Sequence, residues 1–317
     1  MRARLPLAFA LVALVINQVA FAQYPEKPVT ILTGYGAGSP GDLVARGLAK
    51  AALKHFPQPL VVINRPGAGG TLAISEALRA KPDGYVLGLG TAGNLTVQPH
   101  VTALKYAGPD TYVPVAKLVN QPNVLMVGAG ARWKTAKEFL SYARTHPGEI
   151  TIGVAGRMTI AHIDLEQLKR AADVEFGVAF FDGPQQVRAA LAGKVDAAIA
   201  GAAPIMGHVQ SGEALVLGVF EERRLRALPE VPTFKELGFD ATLGTFQAIV
   251  APFGTPASTV EAFAEAVRKA MREPSFISLS EETGNIIEYQ GPESFAADLR
   301  SKFEKNGELV RELGLSK

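Results

Sequence analysis

The sequence predicts an α/β protein of two lobes, each a mostly parallel sheet flanked by helices, and three observations predict it. Short runs rich in β-branched residues alternate with longer stretches of three- and four-residue apolar spacing, the alternation that builds parallel sheets covered by helices. The pattern occurs twice, with no long Ser/Gly-rich linker between the two occurrences. The chain has no cysteine, so the fold must rest on apolar cores rather than on disulfides or thiolate metal sites.

Arg2 and Arg4 precede an apolar run from Leu5 to Ile16 and the tripeptide Ala20-Phe21-Ala22, the layout of a secretory signal peptide cleaved after Ala22. The run is shorter than the roughly 20 residues that a membrane-spanning helix needs. Residues 1–22 are therefore expected to be a leader, which leaves 295 of the 317 residues for about two domains. The leader holds two of the 32 Lys and Arg residues and none of the 30 acidic ones, so the remainder is balanced at 30 of each sign. That balance gives a nucleic-acid partner no electrostatic support. No two of His55, His100, His146, His162 and His208 stand at the close spacing of a metal pair, and neither metal nor cofactor is expected.

Taken in order, Val29 to Thr33, Leu60 to Asn64 and Val86 to Thr91 read as strands, with helices over Asp42 to His55 and Thr71 to Arg79 between them. The second set has strands at Val124 to Val127, Glu149 to Val154, Val174 to Phe180, Ala197 to Ala200 and Leu215 to Phe220. Helices at Thr135 to Arg144, Thr159 to Ala171 and Pro184 to Ala192 separate most of these. Thr259 to Met271 and Pro292 to Leu313 have the amphipathic spacing of helices that pack on a lobe and keep a solvated, charged face. The chain is expected to cross between lobes near Val113 to Pro122 and to return near Asp240 to Pro252. Lobe one is then 23–120 with 243–317, and lobe two is 121–242.

The most informative local feature is Gly34-Tyr35-Gly36-Ala37-Gly38-Ser39-Pro40-Gly41-Asp42, which follows a strand and opens a helix. Glycines let backbone approach a ligand, and the free N–H groups of a helix start favour an anion. Gly36 to Gly41 satisfies G-x-G-x-x-G literally, but Asn64 and Arg65 stand where a dinucleotide site needs an acid, and Pro40 interrupts the loop. A small-anion cradle is the better reading. Asn64 to Gly70 and Thr91-Ala92-Gly93-Asn94 follow the next two strands, so three strand-to-helix turns face one cleft, at the strand ends where such sheets bind ligands. No nucleophile elbow, Ser-x-x-Lys pair or conspicuous carboxylate pair calls for a reaction, and the chain is not expected to be an enzyme.

Several motifs in order carry a resemblance: Tyr24-Pro25-Glu26-Lys27-Pro28-Val29, the loop ending in Asp42-Leu43-Val44-Ala45-Arg46, Asn64 to Gly70, Pro82-Asp83-Gly84-Tyr85, Leu228 to Thr233 and Ala251 to Pro256. Together they resemble the substrate-binding proteins of tripartite tricarboxylate transporters, the Bug family, over essentially the whole chain after the leader. The resemblance implies a flytrap fold of the type II periplasmic-binding-protein kind. It also implies a monomer in the periplasm that captures a small carboxylate (a dicarboxylate, aromatic acid or amino acid) and hands it to membrane transporter subunits; a sensory role beside a two-component receptor is the alternative.

Carried over residue by residue, the resemblance implies that Tyr35, Ala37, Gly38, Ser39 and Asp42 supply the first-lobe loop, with Thr91 and Asn94 beside it. In the second lobe it points to the loop Gly156-Arg157-Met158-Thr159-Ile160-Ala161-His162 and to residues around Gly183 and Ala203. The first loop departs from the family pattern Pro-Phe-x-x-Gly-Gly-Ser-Thr-Asp at Gly34, Tyr35, Ser39, Pro40 and Gly41, which shifts one hydroxyl and removes another. Arg157 and Met158 also replace small residues. Arg157 has the geometry to clamp a carboxylate in a bidentate pair, or else is a solvated loop residue. Asp182 is placed to receive a ligand amino group, to pair with Arg157, or to cap the turn at Gly183-Pro184. His162 stands at a helix start, where local packing is the plainer role.

Overall fold

The computed structural model of the chain describes residues 24–157, 159–181, 185–241, 245–314 and 316; the expected leader lies outside them. The chain runs β1 (Val29–Thr33), α1 (Pro40–Ala52), β2 (Leu60–Asn64), α2 (Thr71–Ala77) and β3 (Val86–Thr91). A π-helical turn at Gly93–Val97 leads through α3 (Gln98–Val101) to β4 (Tyr112–Asn120). The second lobe holds β5 (Asn123–Gly128), α4 (Ala136–Thr145), β6 (Thr151–Val154), α5 (Ile160–Ala172), β7 (Gly177–Phe180), α6 (Gln185–Leu191), β8 (Ala197–Gly201), α7 (Ala203–Gln210) and β9 (Ala214–Phe220). The chain ends with β10 (Phe246–Pro252), α8 (Ala257–Ala270), α9 (Pro274–Glu282), β11 (Ile286–Gln290) and α10 (Pro292–Glu312).

Among the described residues the strands form two sheets, ordered β11-β4-β10-β3-β1-β2 and β7-β6-β8-β5-β9. Parallel pairing joins β2-β1-β3 and β7-β6-β8, as strand-helix-strand connections require. Antiparallel pairing enters with β10, β4 and β11 in one sheet and with β5 and β9 in the other, so both sheets are mixed. The cause is the crossing itself. β4 passes straight into β5, and β10 returns beside β4 in the opposite sense. Most of the segment expected to cross is therefore a strand of the first sheet, and the passage is confined to Gln121 and Pro122.

Each helix buries the face its sequence makes apolar. In α1, Ser39 caps the first turn by accepting from the Asp42 N–H, Pro40 sits in the first turn, and Val44, Ala45, Leu48, Ala51 and Ala52 face the sheet. They join a core with Ile31, Leu87, Ile249, Phe263 and Phe276. Lobe two packs around Leu125, Phe139, Ile152, Leu165 and Phe220. A third cluster spans the junction: Ile160 and Ile163 of α5 are buried with Leu95, Phe246 and Val310 of lobe one. β7 begins only at Gly177, because α5 ends in a left-handed cap at Asp173 (φ 52°) and the chain needs three residues to rejoin the sheet.

The first two strand-to-helix turns touch each other through glycines. A Cβ on Gly34 would lie 2.3 Å from the Gly70 Cα and 2.6 Å from its carbonyl oxygen, a clash with backbone that no rotamer change relieves. Gly34→Ala is expected to destabilise the protein by about 2 kcal/mol, within the usual cost of overpacking. Urea denaturation measures this; an unchanged midpoint would mean that the two turns are free to separate.

Candidate functional site

The carboxyl ends of β1 and β3 and those of β6 and β8 point at each other across the lobe junction, and a cavity of about 630 Å³ lies between them. Lobe one lines it with Tyr35, Pro40, Gly41, Gly69, Thr91 and Gln98, and lobe two with Gly156, Arg157, Thr159, Phe181, Gln186 and Pro204. Its floor is the pair of crossing segments, which contribute Gln121, Asn123, Thr245 and Gln247. A larger hollow of about 800 Å³ lies around Trp133 and Arg188 at the opposite end of β5 and is built by lobe two alone.

Tyr35 spans the first-lobe turns. Its hydroxyl donates to the Gly69 carbonyl at 3.1 Å and lies 3.5 Å from the Thr91 hydroxyl, and burial pushes its phenol up despite that contact. Thr91 is held in turn by Asn94, whose side-chain oxygen accepts from the Thr91 N–H at 2.8 Å. Asn94 is fully buried beneath the cavity wall.

Asp42 is buried and turned away from the cavity, into the loop that precedes it. Its carboxylate accepts from the Gly38 N–H at 2.9 Å, from Arg46 Nε at 3.0 Å and from Asn64 Nδ2 at 2.8 Å. Burial alone would raise its carboxyl; the bonds from Arg46, Gly38 and Asn64 and the guanidinium charge outweigh burial and hold it below the ordinary range. The first-lobe loop thus spends its donors on an anion of its own. Asp42 N–H goes to Ser39, Ser39 N–H goes to the Gly36 carbonyl, and Pro40 has none to offer. Ala37, Gly38 and Ser39 lie outside the cavity lining, and Gly41 takes their place.

The second-lobe loop is arranged otherwise. Thr159 caps α5 by accepting from the His162 N–H, and no acidic residue stands in the first turn of that helix. Arg157 is exposed, lies 4.1 Å over the Phe180 ring and has no acidic partner among the described residues. Gly156 takes φ 82°, which suits glycine and turns the loop at the cavity edge. Ala203 falls just behind Pro204, which lines the cavity. Asp182, Gly183 and Met158 lie outside the described residues.

The sequence reading names none of Gln98, Gln121, Asn123, Gln186, Thr245 and Gln247. For Gln121, Thr245 and Gln247 the signal is position: they stand in the two segments expected to carry the chain between lobes, and such segments form the floor of any cleft the lobes enclose.

A two-lobed α/β fold, with a polar cavity at the junction lined from both lobes and from both crossing segments, defines a solute-binding protein of the periplasmic-binding-protein type. A sequence profile of the tripartite tricarboxylate transporter family receptor, TctC, matches residues 44–315. A UPF0065 protein of Cupriavidus necator is 30% identical over 295 residues, covering 93% of this chain and 90% of that one. A TctC solute-binding protein from Polaromonas superposes with a TM-score of 0.78 at 28% identity, covering 91% of this chain and 99% of that one. MatC from Rhodopseudomonas palustris, solved with bound malate, superposes with a TM-score of 0.78 at 25% identity, covering 90% and 100%. The chain belongs to the TctC (Bug-type) family, whose members are periplasmic solute-binding receptors.

His162 lies apart from the main cavity, lining an outer groove with Gln98, Val101 and Arg157, and its ring meets the Phe180 ring edge-on at 5.0 Å. Burial lowers its pKa below the ordinary 6.5; Glu166 opposes this, and Arg157 and Lys169 add to it. The folded protein therefore binds this proton less readily than the unfolded chain. The associated stability is complete above the unfolded value and is lost as pH falls through the window below it. Melting is expected to drop as the pH falls below about 6.5, and to drop less in His162→Gln. Equal pH dependence in both proteins would remove His162 as the cause.

Proposed function

We propose that the chain is exported, with cleavage after Ala22, and binds a small organic carboxylate between lobe one (23–120 and 243–317) and lobe two (121–242) for delivery to a transporter of the tripartite tricarboxylate type. The ligand class comprises dicarboxylates, aromatic acids and amino acids. One observation carries the reading: Arg157, exposed at a cavity lined otherwise by neutral groups among the described residues, has no acidic partner of its own there. A guanidinium beside a helix start with no acid in its first turn is the strongest carboxylate-binding group such a cavity can offer.

In this reading the lobes divide the work. Lobe two supplies charge through Arg157 and the α5 N-terminus, with Gly156 and Thr159 shaping the loop. Lobe one supplies shape and neutral hydrogen bonds through Tyr35, Thr91 and Gly41. Ala37, Gly38, Ser39, Asp42 and Asn94 then act as supports, and Asp42 in particular is an internal anion that fixes the loop. Bound malate in MatC, on a similar fold, is in keeping with this class of ligand.

A thermal-shift panel of dicarboxylates, aromatic acids, amino acids, sugars and cations tests the reading. A ligand at 100 times its Kd adds about 2.7 kcal/mol of stability, enough for a clear rise in melting temperature. Only acids are expected to raise it; a response confined to sugars or cations defeats the proposal. For the best acid, Arg157→Gln is expected to weaken binding by roughly 10- to 100-fold, the worth of a hydrogen bond to a charged group. Unchanged affinity in calorimetry would place the carboxylate elsewhere.

A further inference from the structure

Gln121 and Gln247 on the cavity floor, Gln186 on its lobe-two wall and Thr33 behind Gly41 carry polar atoms left unmatched among the described residues. Thr33 Oγ1, Gln121 Nε2, Gln186 Oε1 and Gln247 Oε1 are covered by protein and have no hydrogen-bond partner among the described residues. Gln186 and Gln247 are 2% and 1% exposed, and Thr33 is fully buried. Buried polar atoms are nearly always paired, because leaving one unpaired costs most of its desolvation. Several unpaired around one cavity mark a place where a ligand is meant to pair with them.

Gln121 and Gln247 are bonded to each other, Gln247 Nε2 donating to Gln121 Oε1 at 3.0 Å. One bond between two amides uses one N–H side and one C=O side. Whichever way the two amides are turned, the pair keeps one amino group and one carbonyl free. Gly41 keeps the approach to this pair open: a Cβ there would stand 3.4 Å from Thr33 Oγ1 and 3.9 Å from Gln247 Nε2. Gln121 and Gln247 also belong to the two segments that join the lobes, so their spacing is fixed by the fold. The Gln121 N–H donates to the Thr245 carbonyl at 2.9 Å, and the Thr245 hydroxyl donates to the Gln121 carbonyl.

A carboxylate offers acceptors only. It can take the free amino group but leaves the free carbonyl of the pair, and that of Gln186, unmatched. We propose that the paired amides of Gln121 and Gln247 select, among anionic ligands, those that carry a hydrogen-bond donor next to an acceptor, namely a hydroxy acid or an acid bearing a carboxamide. The proposal rests on the carboxylate reading of the same cavity and adds the feature that discriminates one acid from another. Gln186 supplies a second acceptor from lobe two, which reaches the ligand's donor only when the lobes are together.

Titration calorimetry on matched acids tests it, using malate against succinate, succinamate against succinate, and 4-hydroxybenzoate against benzoate. In at least one pair the donor-bearing acid is expected to bind about tenfold or more tightly, since the parent acid leaves a buried carbonyl unpaired. In Gln247→Met and in Gln121→Met that ratio is expected to fall toward one, with a melt of each unliganded variant to establish that it is folded. If acids bind but both members of every pair bind alike, the amide pair is satisfied without the ligand and the inference is overturned, while the carboxylate reading stands. If no acid binds at all, the carboxylate reading fails first and takes this one with it.

Discussion

The two strands that pass between the lobes are also the floor of the cavity, and the geometry of the site follows from that coincidence. At the junction, Gln121 and Thr245 exchange hydrogen bonds, and Gln247 reaches back to Gln121. Among the described residues the other contacts across the junction are side-chain packing and ion pairs, so rotation of one lobe against the other would pivot near these residues. A ligand that bonds to the floor therefore bonds to the hinge. Its contacts with the floor exist in any lobe arrangement, whereas those with Arg157 and Gln186 depend on how far lobe two has moved in. Only the second group favours closure, since a ligand shifts a conformational equilibrium by no more than its differential affinity for the two states.

Charge is distributed to match. The first-lobe loop is built around Asp42, an ionised carboxylate that occupies the helix start where an external anion would otherwise sit. Arg46 offsets it locally, and the loop presents neutral backbone and the Tyr35 ring to the cavity. A bound anion next to Asp42 would meet repulsion partly cancelled by Arg46. Next to α5 it meets a helix start with no acid in its first turn and a guanidinium stacked on Phe180. The electrostatics favourable to an anion thus lie on lobe two.

The parallel strands of the first sheet were legible to the residue, Val29–Thr33, Leu60–Asn64 and Val86–Thr91, because turn residues bound each run; in the second sheet β6 and β7 begin later than expected, at Thr151 and Gly177. β11 was not legible. Its sequence IIEYQ mixes apolar and polar residues because this edge strand is half-buried along its whole length, and it follows the short helix α9 without the spacing of a strand-helix-strand unit. At the site, the sequence identifies the turns that face the cleft but not which side chains turn inward. Asp42 is the clearest case. Ser39-x-x-Asp42 has the spacing of a helix cap, and a carboxylate at that position folds back on its own loop as readily as it meets a ligand. Gln121 and Gln247 were legible by position alone, in the segments that cross between lobes; that their amides pair becomes visible only once their neighbours in space are known.

The apolar seam beside the cavity completes the picture. Ile160 and Ile163 follow directly on Arg157 and Thr159, and both are buried against Leu95, Phe246 and Val310 of lobe one. The helix that carries the charged group is thus seated on the opposite lobe by its own first turn. Drawing the lobes apart uncovers these two side chains at a cost of about 1.5–3 kcal/mol each. That cost does not depend on the ligand, so it raises the population of the closed form before anything binds. The apparent Kd of a site that binds only when closed is its intrinsic Kd divided by the fraction already closed, and the seam, by raising that fraction, therefore strengthens binding of every acid equally. Discrimination must come from groups that touch the ligand, which in the proposed reading are Arg157 and the amides on the floor.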